Sequence, residues 1–112
     1  MKVAISSIGK GIDSNVSTVF GRAPYFVIVE IDGKKIVKVE SMENASSSQS
    51  GGAGISAAQL IAEKGANALI TGNVGPRASD VLRQFNIEVY KGDGLVKEAV
   101  QKFIDGKLEK IQ

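Results

Sequence analysis

The sequence predicts an α/β domain, a mixed sheet of five strands in the element order β-β-β-α-β-α-β-α. Three observations carry this. The first third holds two β-rich runs and a lysine-studded third, the latter two joined by Asp32-Gly33, a two-residue hairpin signal. The rest alternates short apolar runs with stretches of helical period. Glycine, proline or asparagine punctuates the joins. At 112 residues the chain makes one domain, spanning 1–112, able to bury roughly two-thirds of the surface it exposes when unfolded.

In order, "KVAISSI" (Lys2 to Ile8) is a first strand leading into a glycine-bearing loop, Gly9 to Pro24. "YFVIVEI" (Tyr25 to Ile31) is a near-continuous apolar run, expected of a strand covered on both faces. The return strand "KIVKVESM" sets lysines among Ile36, Val37 and Val39, a pattern suited to a protected edge. "ENASSSQSGGAG" (Glu43 to Gly54) follows; a loop this long inside a small domain points to function. A helix from about Gly54 to Lys64 ends at Gly65. "ANALIT" is a strand, and Pro76 opens a helix with Ala78, Val81, Leu82 and Phe85 on one face. Asn86 ends it, and "IEVY" is the fifth strand. After Gly92-Asp93-Gly94, Val96, Ala99, Val100 and Phe103 mark a last helix that Gly106 stops.

This order places loops together. With the second strand antiparallel to the first, the hairpin lies at the bottom and the third strand climbs back up. Right-handed crossovers make the later strands parallel to the first. Four loops then exit at one rim: Gly9 to Pro24, the Ser/Gly loop, Gly72 to Pro76, and Lys91 to Gly94. Three of them feed helix N-termini, whose unpaired N–H groups and partial positive charge accept anions. Open α/β sheets bind ligands at this rim. Lys10, Arg22 and Arg77 add full charges. The candidate ligand-binding residues are Asp13, Asn15, Gly21, Arg22, Gly51, Gly52, Gly54, Gly72, Asn73, Gly75 and Arg77.

Composition excludes more than it assigns. There is no cysteine and no histidine, so the common ligands of zinc, haem and iron–sulfur clusters are absent. So are Cys–His and Ser–His nucleophile pairs, and Ser46, Ser47 and Ser48 have no base to activate them. Neither "GGAGIS" nor "GNVGPRAS" carries the Lys-Ser/Thr of a phosphate-binding loop. A net charge of +2 and six aromatic residues (four Phe, two Tyr) give no nucleic-acid face. No apolar run approaches a membrane span, and the sequence enters a strand without a signal peptide, so a cytoplasmic setting is expected. No catalytic set is expected, and none for a metal ion.

The segments "DSNVSTVFGRAPYFVIVEI" (Asp13 to Ile31), "GGAGISAAQLIAEKGANALITGNVGPRASDVL" (Gly51 to Leu82) and "VKEAVQKFIDGKLEKI" resemble the dinitrogenase iron–molybdenum cofactor-binding family, which includes NifX-like and NafY-like carriers and the C-terminal part of NifB-type proteins. The resemblance spans the chain; "FGRAPYF" and "ITGNVGP" are its most specific parts. It implies a three-layer α/β/α fold with a five-stranded mixed sheet and a ribonuclease H-like motif. It also implies a non-catalytic carrier of iron–sulfur or iron–molybdenum–sulfur clusters, with a cofactor-assembly or redox protein as partner. Where many family members carry histidine before "FGRAP", this chain has Val19. A cluster would have to be held by backbone N–H groups, arginine and serine contacts, or the oxygens of Asp13 or Asn73. The alternative is a regulatory or interaction module whose rim takes a small oxyanion, a phosphorylated metabolite or a protein. A nuclease lacks its acidic metal-binding set.

Overall fold

A computed structural model describes all residues, 1–112. The strands are β1 (Lys2–Ser7), β2 (Tyr25–Asp32), β3 (Lys35–Glu43), β4 (Ala68–Thr71), β5 (Glu88–Lys91) and β6 (Glu109–Lys110). The helices are α1 (Ala53–Glu63), α2 (Pro76–Gln84) and α3 (Val96–Ile104). The sheet therefore has six strands rather than the expected five, in the order β3-β2-β1-β4-β5-β6. The addition is two residues long and carries no apolar pattern that could mark it in sequence.

Pairing follows the expected directions. β1 and β2 are antiparallel with Ala4 opposite Ile28, and β2 and β3 are antiparallel. β1 with β4, and β4 with β5, are parallel. The ends of β1, β3, β4 and β5 consequently share one rim. Helices stop where the sequence changes backbone: Gly65 has φ 81°, Gly106 φ 71°, and Asn86 takes the left-handed region at φ 60°.

The central strands are apolar on both faces, and each face has its own core. Ala4, Phe26, Ile28, Leu69 and Val89 pack under α1 and α2 through Ala57, Ala58, Ile61, Ala78 and Leu82. Val3, Ile5, Val27, Val29, Ala68 and Ile70 pack under α3 through Val96, Ala99 and Val100. Two helices on one face and one on the other make the three layers. This division decides which loops meet.

β6 is held to β5 by Lys110, whose ammonium lies 2.9 Å from Glu88 Oε2. That bond, with the hydroxyl of Tyr90, holds the Glu88 carboxyl below its ordinary value. A carboxylate depressed in the folded state stabilises it above the ordinary carboxylate range and loses that effect as pH falls through the lowered value. The Ile111 N–H donates to the Val89 carbonyl at 2.8 Å. Its hydrogen-exchange protection, corrected for intrinsic rate, is expected to fall on acidification through that window. Glu88→Gln should remove the pH dependence.

Candidate functional site

Local sequence makes two bare helix N-termini. Gly52, at φ 70°, turns the chain into α1, and Gly75-Pro76 turns it into α2; neither helix has a side-chain cap. The first helical bonds run from Ser56 N–H to the Gly52 carbonyl (3.0 Å) and from Ser79 N–H to the Gly75 carbonyl (2.9 Å). The N–H groups of Ala53, Gly54 and Ile55 on α1, and of Arg77 and Ala78 on α2, have no protein acceptor. Pro76 has no N–H to leave unpaired.

Small residues bring these ends together. A Cβ on Gly54 would sit 2.9 Å from that of Ala78, so the two helices touch there. A Cβ on Gly21 would meet the nitrogen of Gly54 at 2.7 Å, so the loop after β1 lies directly on the first turn of α1. Gly72 is pressed in the same way on Thr18, 2.7 Å to its Cα. The Phe20 N–H donates to the Asn73 carbonyl at 3.0 Å, tying the first and third loops.

The result is a cleft of about 370 Å³ lined by Val19, Phe20, Gly21 and Arg22, by Gly52 to Ile55, and by Gly75 to Ala78. That volume suits a small ligand. Two arginines and the five residues with free amides line it, without a single acidic residue among them. Arg77 has no hydrogen-bond or ion-pair partner. The Arg22 guanidinium donates to the carbonyls of Ser47 (3.0 Å) and Gln49, so it also braces the Ser/Gly loop. Asn44 braces the base of that loop: its buried amide donates to the carbonyls of Ala23 (2.8 Å) and Gly21 (3.2 Å), and its oxygen accepts from Ser46 N–H. No group of three His, Cys, Asp or Glu residues is placed to hold a metal ion.

Of the residues singled out in sequence, Gly21, Arg22, Gly52, Gly54, Gly75 and Arg77 line this cleft. Gly51, Gly72 and Asn73 flank it in sequence without lining it. Asp13 and Asn15 lie elsewhere on the rim, at α3. Asp13 is paired with Lys97 at 3.2 Å, and Asn15 bridges to Leu95. Lys10 lies over the Tyr25 ring, 5.9 Å from its centroid. The fourth loop shares the rim, where the Gly94 carbonyl accepts from Val16 N–H at 2.8 Å, but it does not line the cleft, so the four loops do not close on one site. α3 covers the opposite sheet face, and its first amides are already taken: Val96 N–H by the Ser14 carbonyl (2.8 Å) and Lys97 N–H by that of Ile12 (3.0 Å). Sequence reasoning missed Val19, Phe20, Ala53, Ile55, Pro76 and Ala78. All six are apolar or small residues whose role is shape or a main-chain amide; apart from Val19 at the position before "FGRAP" and Pro76 as a helix start, neighbourhood to Gly21, Gly54 and Gly75 was their signal.

The geometry can be set beside known proteins. An uncharacterised protein of Methanocaldococcus jannaschii is 40% identical over 114 aligned positions, covering 100% of this chain and 97% of its own. The apo form of the orange protein of Desulfovibrio gigas superposes with a TM-score of 0.90 at 41% identity, covering 97% of this chain and 91% of that one. A Thermotoga protein provisionally described as NifB gives 0.84 at 37% identity, covering 98% and 92%. The profile of the dinitrogenase iron-molybdenum cofactor family matches residues 1–106, and the chain belongs to that family.

Proposed function

We propose that this protein is a non-catalytic accessory protein that holds an anionic metal–sulfur cluster in the cleft between α1 and α2. The observation that carries the reading is the meeting of two uncapped helix N-termini and two arginines around a cleft with no acidic lining residue. Sulfide on a cluster surface accepts hydrogen bonds from N–H groups, and its negative charge is favoured by both helix ends. The donors present fit a cluster carried intact and held from outside. They do not fit one whose metal atoms are bound by side chains. In this reading the amides of Gly54, Ile55, Arg77 and Ala78 and the side chains of Arg22 and Arg77 touch the ligand. Gly51, Gly72 and Asn73 belong to the loops that carry the lining residues, and Asp13 and Asn15 shape the neighbouring rim. Asp13 carries negative charge and is better suited to that role than to contact.

The strand-end hydroxyls favour a binding role over a chemical one. Ser6 Oγ donates to Thr71 Oγ1 at 2.6 Å, both are fully buried, and the chain has no histidine to activate either. The reading also takes β3-β2-β1-β4-β5, with β6 added, as a ribonuclease H-like frame. It includes a cytoplasmic setting and a cofactor-assembly or redox partner; no helix is long and apolar enough to cross a membrane.

The test is anaerobic incubation with an isolated iron–molybdenum–sulfur cluster, then gel filtration with metal analysis and a visible spectrum of the protein peak. Stoichiometric metal co-eluting with the protein is expected. A colourless peak, with thermal stabilisation by phosphate or sulfate instead, would replace the cluster by a small oxyanion; a ligand at a hundredfold excess over its Kd stabilises by about 2.7 kcal/mol.

A further inference from the structure

β3 is an edge strand: it pairs with β2 alone, and its other side has no neighbour. α3 is the one helix on its face of the sheet, and it leaves β3 uncovered there. Val39 and Ile36 stand opposite Val29 and Ile31, which belong to the core under α3, so both share that face. Both are exposed, at 41% and 38%, and Val37, the bulged residue between them, is 59% exposed. On the opposite face Lys38 and Glu40 project. They lie 3.8 Å apart, with side chains 64% and 41% exposed; Glu40 also accepts from the Lys64 ammonium at 3.3 Å, so a lysine of a second strand would share its carboxylate with Lys64.

The order of charges along this edge is self-complementary. Lysines occupy its start (Lys35, Lys38) and glutamates its end (Glu40, Glu43). An antiparallel copy with Val39 opposite Val39 sets Lys38 against Glu40, and the same pair recurs by symmetry; the bulge at Val37 leaves Lys35 and Glu43 on opposite faces, outside this pairing. Moving the register by two residues either way sets Lys38 on Lys38, or Glu40 on Glu40. The lysines that discourage indiscriminate edge pairing thus permit one register. That register also brings the two bare valine strips side by side. The bulge at Val37 breaks the ladder at one end, so regular pairing centres on Lys38–Glu40 of each copy.

We propose that a second copy of this chain docks antiparallel on the β3 edge, with Val39 on the two-fold axis, joining two sheets into one. The contact is on the far side of the sheet from β6 and leaves the cleft between α1 and α2 open in both copies. Its limited length makes it a weak dimer, and its exposed ion pairs make it weaker in high salt.

Sedimentation equilibrium up to millimolar protein is the test. The wild-type mass is expected to rise with concentration to twice that of the monomer. Lys38→Glu alone, or Glu40→Lys alone, places like charges across the axis and should leave a monomer. Mixing the K38E and E40K chains restores opposite charges at both positions, and a mixed dimer should form. Circular dichroism of each variant establishes that it is folded. A wild-type chain that stays monomeric throughout overturns the proposal. So does a K38E and E40K mixture that fails to associate while wild type dimerises, because the contact then lies elsewhere.

Discussion

Gly21→Ala and Gly72→Ala are each expected to lower stability by about 2 to 3 kcal/mol, the upper part of the range for overpacking. The methyl added at Gly21 would fall 2.7 Å from the nitrogen and 2.8 Å from the Cα of Gly54. At Gly72 it would fall 2.7 Å from the Cα and 2.8 Å from the carbonyl oxygen of Thr18. In both cases the obstacle is main chain, which has no rotamer to yield, so a loop must lift off its neighbour. Gly75→Ala is the control. Nothing lies within 4 Å of its Cβ position, and φ −71° with ψ 162° suits alanine, so stability should change by less than about 1 kcal/mol. Urea unfolding followed by circular dichroism measures all three. An unchanged midpoint for Gly21→Ala would mean that the loop after β1 does not rest on α1, and the cleft would lose one wall.

The same glycines show how far the sequence could be read. Gly65, Asn86 and Gly106 end helices through backbone preference, which is local, and the Asp32-Gly33 hairpin and the strand directions rest on equally local chemistry. The shared rim followed from those directions. Which rim loops meet did not, because that depends on the face each helix covers. Val3, Ile5, Val27 and Val29 need a cover of their own, and α3 supplies it, taking the fourth loop away from the cleft. The free amides of Ala53, Ile55 and Ala78 have no side-chain signature, since any residue in a first helical turn carries one. Arg22 was legible as a positive charge near the rim. Its bonds to the Ser47 and Gln49 carbonyls were not, because they depend on the path of a loop whose serines and glycines specify little.

That dual position of Arg22 separates it from Arg77, and the second large effect follows. Replacing both by alanine is expected to weaken retention of an iron–molybdenum–sulfur cluster roughly thirtyfold, from about 1 kcal/mol for each exposed guanidinium. The two single variants should differ in kind. Arg77 has no partner in the protein, so Arg77→Ala should lower affinity and leave the unfolding midpoint in place. Arg22→Ala removes two main-chain acceptors' donor as well, so limited proteolysis between Asn44 and Gly52 should quicken even without ligand. Both bonds come from one nitrogen, Nη1, so Arg22→Lys, whose ammonium also offers several donors but on a differently shaped, flexible stem, should restore the loop in part. Arg77→Lys should recover part of the affinity, because a point charge at a helix end still favours an anion. Equal cluster retention by wild type and the double variant would remove the arginines from the site and leave the amides of α1 and α2 as its only positive groups.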